Sequence, residues 1–266
     1  MKKLLSILGS TALITTSTTS VLACSSNANY KEFLKWIDRQ DTFLLYYGAD
    51  NCPYCNQYQD ALDMVKGTEN SLENKLNGLN EKYNAALAAE QDATNPINDY
   101  GKDLVNGNID YHEFKIEDLS DKWSEKWSEN LYDWLVDSLV EIYIEVVLKD
   151  SNITHQQKIN LAKPLVKTYI GDLGVPFFLL IRNGKLVNWT TGFGRSEVIP
   201  GEEQIVDFEN WFNTIETDFM NIQMPEELVK KIQEANNGSG GEGETTDPAT
   251  YNYDQINVNN YSAYFE

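Results

Sequence analysis

The feature that most constrains this chain is a pair of cysteines placed where a buried strand gives way to a helix. Residues 42–47 form an unbroken apolar and aromatic run that ends at Gly48. A run of this length and composition is typical of a strand that is covered on both faces of a sheet. Residues 56–66 carry apolar side chains at helical spacing. The junction between the two segments reads Cys52-Pro53-Tyr54-Cys55.

This position suits thiol chemistry. A cysteine at the start of a helix meets unpaired backbone amides and the positive end of the helix dipole, which stabilise the thiolate and lower the thiol pKa. Cys52 is therefore the candidate nucleophile. Cys55 lies one helical turn further on and is the candidate resolving thiol, which would attack a mixed disulfide at Cys52. A structural disulfide and half of a metal site are the alternative explanations of a lone CxxC.

A second informative segment lies far from the cysteines. Gly174-Val175-Pro176 precedes an apolar run at residues 177–181, and Asn183-Gly184 separates this run from another at residues 186–191. Asn-Gly between two strand-like runs is the strongest short signal for a hairpin. The sequence therefore predicts an antiparallel hairpin that follows Pro176 directly.

A buried strand, a CxxC at the start of a helix and a distant Gly-Val-Pro before a hairpin together resemble the thioredoxin superfamily. The resemblance implies an α/β, thioredoxin-like fold in which a cis proline packs against the cysteines and the residue before it pairs with a substrate chain. It also implies a thiol-disulfide oxidoreductase that acts on cysteine-containing proteins and needs no cofactor besides its own redox-active disulfide. The site residues implied are Cys52 and Cys55 as catalytic thiols, with Pro53, Tyr54, Val175 and Pro176 as substrate-binding residues.

The N-terminus predicts export and a lipid anchor. Lys2 and Lys3 precede an apolar run at residues 4–14, as in a secretory signal. Serine, threonine and glycine interrupt the segment too often for a span of about 20 apolar residues. Val21-Leu22-Ala23-Cys24 resembles the bacterial lipoprotein box, which implies cleavage before a lipidated Cys24. We therefore expect a protein anchored at the extracytoplasmic face of the cell membrane, with ordinary secretion as the alternative.

Composition argues against several other functions. The chain has 21 Lys and Arg against 41 Asp and Glu, a formal net charge of −20, so it lacks the basic surface that nucleic acid binding requires. Its 2 His and 3 Cys are too few for a four-cysteine zinc module, and we predict no metal site. Charged residues that would dock glutathione near Pro176 are not recognisable, so glutathione is not an expected cofactor.

The predicted organisation is one domain with a long insertion. Residues 67–170 form the helical insertion, with helical periodicity at 68–91 and 120–148, and residues 109–116 have the composition of a central parallel strand. Thr154 and Gln157 form a capping box for another helix, which Pro164 should interrupt or restart. The boundaries are a signal peptide at 1–23, a tether at 24–29, the thioredoxin-like domain at 30–219, a C-terminal helix at 220–235, and a flexible acidic linker with a Tyr/Asn-rich tail at 236–266.

Several residues depart from the family pattern or admit two interpretations. Many family members place a buried carboxylate where this chain has Tyr46. His112 and His155 are more simply structural or solvated than catalytic. The stripe of Trp123, Trp127 and Trp134 predicts core, with a substrate groove as the alternative. The alternative function is a non-catalytic surface lipoprotein that binds a partner and holds Cys52 and Cys55 as a static disulfide, and a zinc-binding CxxC is a more distant third.

Overall fold

The computed structural model describes residues 27–91, 103–193 and 203–237, and it has a four-stranded sheet with helices on both faces. The strands lie in the order β2-β1-β3-β4. β1 is parallel to β2, whereas the β1/β3 and β3/β4 pairs are antiparallel. The predicted mixed α/β class is therefore confirmed. The strands are β1 (Phe43–Ala49), β2 (Asp110–Ile116), β3 (Phe177–Arg182) and β4 (Lys185–Thr191).

Strand composition explains which strands lie inside the sheet. Every residue of β1 and β3 is buried, as expected for strands with apolar side chains on both faces. β2 exposes Asp110 and Lys115 and lies at an edge. The strand predicted at residues 109–116 is thus present, and its register pairs Tyr46 with Glu113.

The predicted hairpin joins β3 and β4. Asn183 and Gly184 form its turn with φ angles of 51° and 73°. Positive φ at both central residues is what a tight two-residue hairpin requires, and Asn followed by Gly adopts it most readily. Gly184 also packs closely against helix α1 (Ala28–Asp38), because a Cβ there would lie 2.6 Å from the Ile37 carbonyl oxygen.

Helices α2 and α6 cover one face of the sheet. Tyr58 of α2 and Trp211 of α6 both contact the Phe178 ring of β3, at centroid distances of 4.9 and 4.8 Å. α3 packs on α6 through Tyr83 and Phe219. The helices are α1 (Ala28–Asp38), α2 (Pro53–Val65), α3 (Leu72–Gln91), α4 (Lys126–Val147), α5 (His155–Ile170), α6 (Glu203–Met220) and α7 (Met224–Asn237).

Helices α1 and α4 cover the opposite face. Phe33 of α1 lies edge-on to Phe43 at 6.1 Å, and Trp127 of α4 lies edge-on to Tyr47 at 5.0 Å. α5 and α7 pack in turn on α4. The alternation of side chains along β1 therefore divides its aromatic residues between the two helical layers.

The helix α5 differs from its prediction at one residue. The capping box is present, with the Gln157 amide donating to Thr154 Oγ1 at 3.3 Å and the Thr154 amide donating to Gln157 Oε1 at 2.9 Å. The prediction that Pro164 interrupts the helix is wrong, because α5 continues through it to Ile170. Buried apolar residues on both sides of the proline, Ala162 and Val166, hold the two halves on one packed face.

Candidate active site

The two cysteines lie at the first turn of α2. Cys52 is the N-cap residue, with extended backbone angles of φ −91° and ψ 117°, and Pro53 is the first helical residue. The Cys55 amide donates a hydrogen bond to Cys52 Sγ at 3.2 Å. The Cys52 amide in turn donates to the Ala49 carbonyl at 3.2 Å, which fixes the turn between β1 and α2. Cys52 Sγ therefore accepts one of the helix's otherwise unpaired amides.

Cys52 and Cys55 form a disulfide, with their Cα atoms 5.2 Å apart. Each residue is only 1% exposed, whereas Tyr54 between them is 45% exposed. Sequence reasoning anticipated the position of the pair and not its closure from solvent.

The second predicted segment meets the first at Cys52. The peptide bond between Val175 and Pro176 is cis. The Val175 carbonyl oxygen lies 3.5 Å from Cys52 Sγ, and the Pro176 carbonyl accepts a hydrogen bond from the Gly192 amide at 2.8 Å. The fold thus brings Val175 against the disulfide, although more than a hundred residues separate the two in sequence.

Asn51 ties the cysteine turn to the loop that follows β2. Its side-chain amide donates to Asp118 Oδ1 at 3.1 Å, and its Oδ1 accepts the Leu119 amide at 2.6 Å. Hydrogen bonds from the Ser120 amide, Asn51 and the Ser120 hydroxyl lower the pKa of Asp118. Sequence reasoning missed Asn51, because its partners lie in a different loop and no local pattern connects them.

A group of three tyrosines lies beneath α2, of which Tyr46 and Tyr58 are buried and Tyr111 is half-buried. The Tyr58 hydroxyl donates to the Tyr111 hydroxyl at 3.0 Å, and the latter donates to Glu113 Oε1 at 2.8 Å. Tyr46 stacks on Tyr58, with ring centroids 4.8 Å apart. Burial raises the pKa of Tyr46, Tyr58 and Tyr111, so these phenols stay protonated at neutral pH. Glu113 supplies a carboxylate to this group of tyrosines, and the parallel register of β1 and β2 places it beside Tyr46.

Of the three tryptophans in the stripe, Trp127 is buried, whereas Trp123 and Trp134 are partly buried. Trp127 is buried between Tyr47 and Phe114, and Trp134 packs on Phe33. Trp123 is only partly buried, and its indole nitrogen donates to the Leu173 carbonyl at 2.9 Å. This contact joins the loop before α4 to the segment that leads to Val175.

Each of the two histidines contacts a side chain of another helix or strand element. The His112 ring stacks on Trp36 of α1, and His155, the first residue of α5, has Nε2 3.2 Å from Glu141 Oε1.

Within the described ranges, no group of three or more His, Cys, Asp or Glu side chains could hold a metal ion. None of the helices in these ranges has the length and apolar character of a bilayer-crossing segment. The predicted lipidation residue Cys24 lies outside the described residues.

Comparison with known proteins adds no relative from which a role could be transferred. No protein-family model matches the chain, and searches of curated proteins and of solved structures give no match.

Proposed function

We propose that this protein is a membrane-anchored, extracytoplasmic thiol-disulfide oxidoreductase that acts on cysteines of partner proteins. The observation that carries the proposal is the disulfide at the start of α2, with Cys52 Sγ 3.5 Å from the carbonyl of Val175. Cys52 and Cys55 are the reacting thiols. Pro53 and Tyr54, which are exposed, and Val175 and Pro176, which are buried, would contact the partner chain once Cys52 is uncovered.

The order of elements supports a thioredoxin-like fold for this site. β1 leads through the CxxC into α2, β2 is parallel to β1, and the β3/β4 hairpin follows the cis proline. The additional helices α3, α4 and α5 fall within residues 67–170, which we interpret as a helical insertion. Fold alone does not establish activity; the geometry at Cys52 is what supports thiol exchange.

Two fixed features favour the thiolate of Cys52 once the disulfide is reduced. The sulfur lies at the N-terminus of α2, where the helix dipole stabilises negative charge. The Cys55 amide already points at it. Both features act on Cys52 rather than Cys55, which makes Cys52 the nucleophile and the better leaving group.

The disulfide itself supplies the oxidising equivalents for one turnover. A partner thiolate attacks Cys52 Sγ, the bond to Cys55 breaks, and Cys55 leaves as a thiolate that takes a proton from solvent. A second partner thiolate attacks the partner sulfur of the mixed disulfide and releases Cys52. The partner loses two electrons and two protons and gains a disulfide, while the protein becomes a dithiol. The reverse sequence reduces a partner disulfide, and the reduction potential of the pair sets the direction.

One observation favours the alternative function. Both cysteines are 1% exposed, as expected for a static disulfide in a lipoprotein that only binds its partner. For the protein to act as an oxidoreductase, the groups that bury Cys52 must move, and the partner chain must then pair with the backbone of Val175.

Trapping distinguishes the two functions. Cys55→Ala in the mature chain should accumulate mixed disulfides with partner proteins, because the resolving thiol is gone, whereas the matched Cys52→Ala variant should accumulate few. Equilibration with glutathione buffers should give a reduction potential above about −300 mV for the Cys52–Cys55 pair. Structural disulfides have potentials below about that value. A lower potential, with no trapped partner in either variant, would establish the static disulfide.

The site of action is part of the same proposal. Lipid attachment at Cys24 would hold the chain at the extracytoplasmic face of the membrane. Cleavage before Cys24 removes Lys2 and Lys3 and leaves 19 Lys and Arg against 41 Asp and Glu, a net charge of −22 that disfavours contact with anionic headgroups, so the body of the protein would face the aqueous compartment. Disulfides form and persist in such compartments, where a catalyst of exchange has substrates.

A further inference from the structure

We propose that the open cavity beside the loop between α5 and β3, which contains Leu173, is a subsite for a side chain of the partner protein. This side chain would be an arginine or lysine that lies two or three residues from the partner's cysteine. The inference rests on the proposed function and names the partner chemistry that the same site selects. It follows from where the cavity lies, how its walls are held and which groups line it.

The cavity lies on the path of the partner chain. Its volume is about 440 Å³, and its lining residues are Trp123, Glu129, Tyr132, Gly171, Asp172 and Leu173. Leu173 precedes Val175 by two residues, a reach of at most about 7 Å of extended chain. Val175 itself touches Cys52 Sγ. A partner chain paired with Val175 would therefore carry side chains two or three residues from its cysteine past the cavity.

The cavity walls are held in place before any partner arrives. The Trp123 indole is bonded to the Leu173 carbonyl and packs edge-on against Tyr47 and Phe177, at 5.0 and 5.6 Å. Gly171 ends α5 with φ 57°, a conformation that other residues rarely adopt, and so directs the following loop towards Trp123. The site needs little rearrangement on binding, which lowers its entropic cost.

The lining suits a cation on a long apolar stem. Trp123 and Tyr132 present rings with centroids 5.9 Å apart, and a guanidinium or ammonium group is attracted to such faces. Glu129 and Asp172 add two carboxylates, and no basic residue is among the described residues that line the cavity. A carboxylate can accept two parallel hydrogen bonds from an arginine side chain.

The present ion pairs of these carboxylates do not block the site. Asp172 pairs with Lys122 and Glu129 with Lys126, each at 3.1 Å. The Asp172 and Glu129 side chains are 84% and 55% exposed, so these pairs contribute little and can exchange for a partner cation. An acidic partner side chain would meet repulsion at the same place, and an apolar one would leave the carboxylates without a new partner.

The test measures how fast Cys52 captures peptides of matched composition. The protein is the full mature chain with Cys55→Ala, reduced. Each peptide carries one cysteine as a mixed disulfide with thionitrobenzoate. Attack by the Cys52 thiolate on the peptide sulfur forms the protein–peptide disulfide and releases the coloured thiolate. One peptide has arginine two residues from the cysteine, a second has the same arginine eight residues away, and a third has leucine at the near position.

The near-arginine peptide should react about fivefold faster than its positional isomer, the size expected for one cation–π contact with an exposed ion pair. The two arginine peptides have equal charge, so attraction to the acidic protein as a whole cancels. Equal rates for these isomers, or a faster reaction of the leucine peptide, would overturn the inference and leave the oxidoreductase proposal standing. Failure of every peptide to form a disulfide with Cys52 would overturn both.

Substitution locates the effect. Asp172→Asn combined with Glu129→Gln should reduce the preference for near arginine to less than about twofold, because both carboxylates of the subsite are neutral. Asp137→Asn combined with Glu141→Gln is the matched control, since it removes two exposed α4 carboxylates that pair with Lys163 and His155. The control should keep the full preference. Equal loss in both double variants would show a general charge effect and refute the subsite.

Discussion

Acidification should destabilise this protein through one half-buried histidine. The His112 ring stacks on the Trp36 indole, with centroids 3.7 Å apart and an interplanar angle of 5°. Burial lowers the pKa of His112 from 6.5 to about 4; Asp41 and Glu32 oppose this change, and Arg39 adds to it. Its Nε2 is buried with no hydrogen-bond partner in the described part of the chain. The folded protein therefore accommodates the neutral ring.

The sign and size of the effect follow from linkage. In the unfolded chain a histidine titrates near 6.5, as in model peptides. Below that pH the unfolded chain binds a proton that the folded protein does not bind, so the free energy of unfolding decreases. With a folded value of about 4, the loss reaches about 2 kcal/mol at pH 5 and about 3 kcal/mol at pH 4. Above pH 7 the contribution no longer changes.

Urea unfolding of the wild type and His112→Phe between pH 4.5 and 7.5 measures this loss. Phenylalanine keeps an aromatic ring on Trp36 and does not titrate. The difference between the two free energies of unfolding should shift by about 2 kcal/mol in favour of the variant from pH 7 to pH 5. Carboxylates titrate in both proteins and cancel. Parallel stability curves, or a measured His112 pKa of 6 or above in the folded protein, would refute the reasoning.

Three further predictions concern the thiols, the packing below them and the anchor. In the reduced protein, iodoacetamide should modify Cys52 at lower pH than Cys55, as peptide mass mapping would report; the opposite order would reverse their roles. Gly48→Ala should destabilise the fold by about 1–3 kcal/mol in urea unfolding, since its Cβ would overlap the buried Tyr46 ring, whereas Gly78→Ala, which meets open space in α3, should stabilise it by up to about 1 kcal/mol. Mass spectrometry of the mature N-terminus should find a lipidated Cys24, and an unmodified N-terminus beyond it would exclude the anchor.

Local patterns were sufficient to predict the elements that carry the candidate site. The apolar run before Gly48 became β1, and Pro53 became the first residue of α2 because proline lacks only an amide that this position leaves unpaired. Asn183 and Gly184 formed the hairpin because they adopt positive φ at low cost. In each case the determining interaction lies within a few residues, so the sequence alone carries the information.

Contacts between distant segments could not be predicted in the same way. The hydrogen bonds of Asn51 to the loop after β2, and of Trp123 to Leu173, depend on how those loops pack in three dimensions. Pro164 shows the converse case, because tertiary packing outweighed a local preference that would have ended the helix.

The order of strands in the sheet leaves one edge of β1 without its partner strand while the chain is being synthesised. β1, buried along its whole length, obtains one neighbour from β2 but waits for the other until β3, far along the chain. Until Phe177–Arg182 arrives, β1 presents an open edge of unpaired backbone groups beside two cysteines. Such an edge invites pairing with other chains and premature intermolecular disulfides. We therefore expect chains truncated before β3 to aggregate as covalent multimers rather than to act as small redox domains.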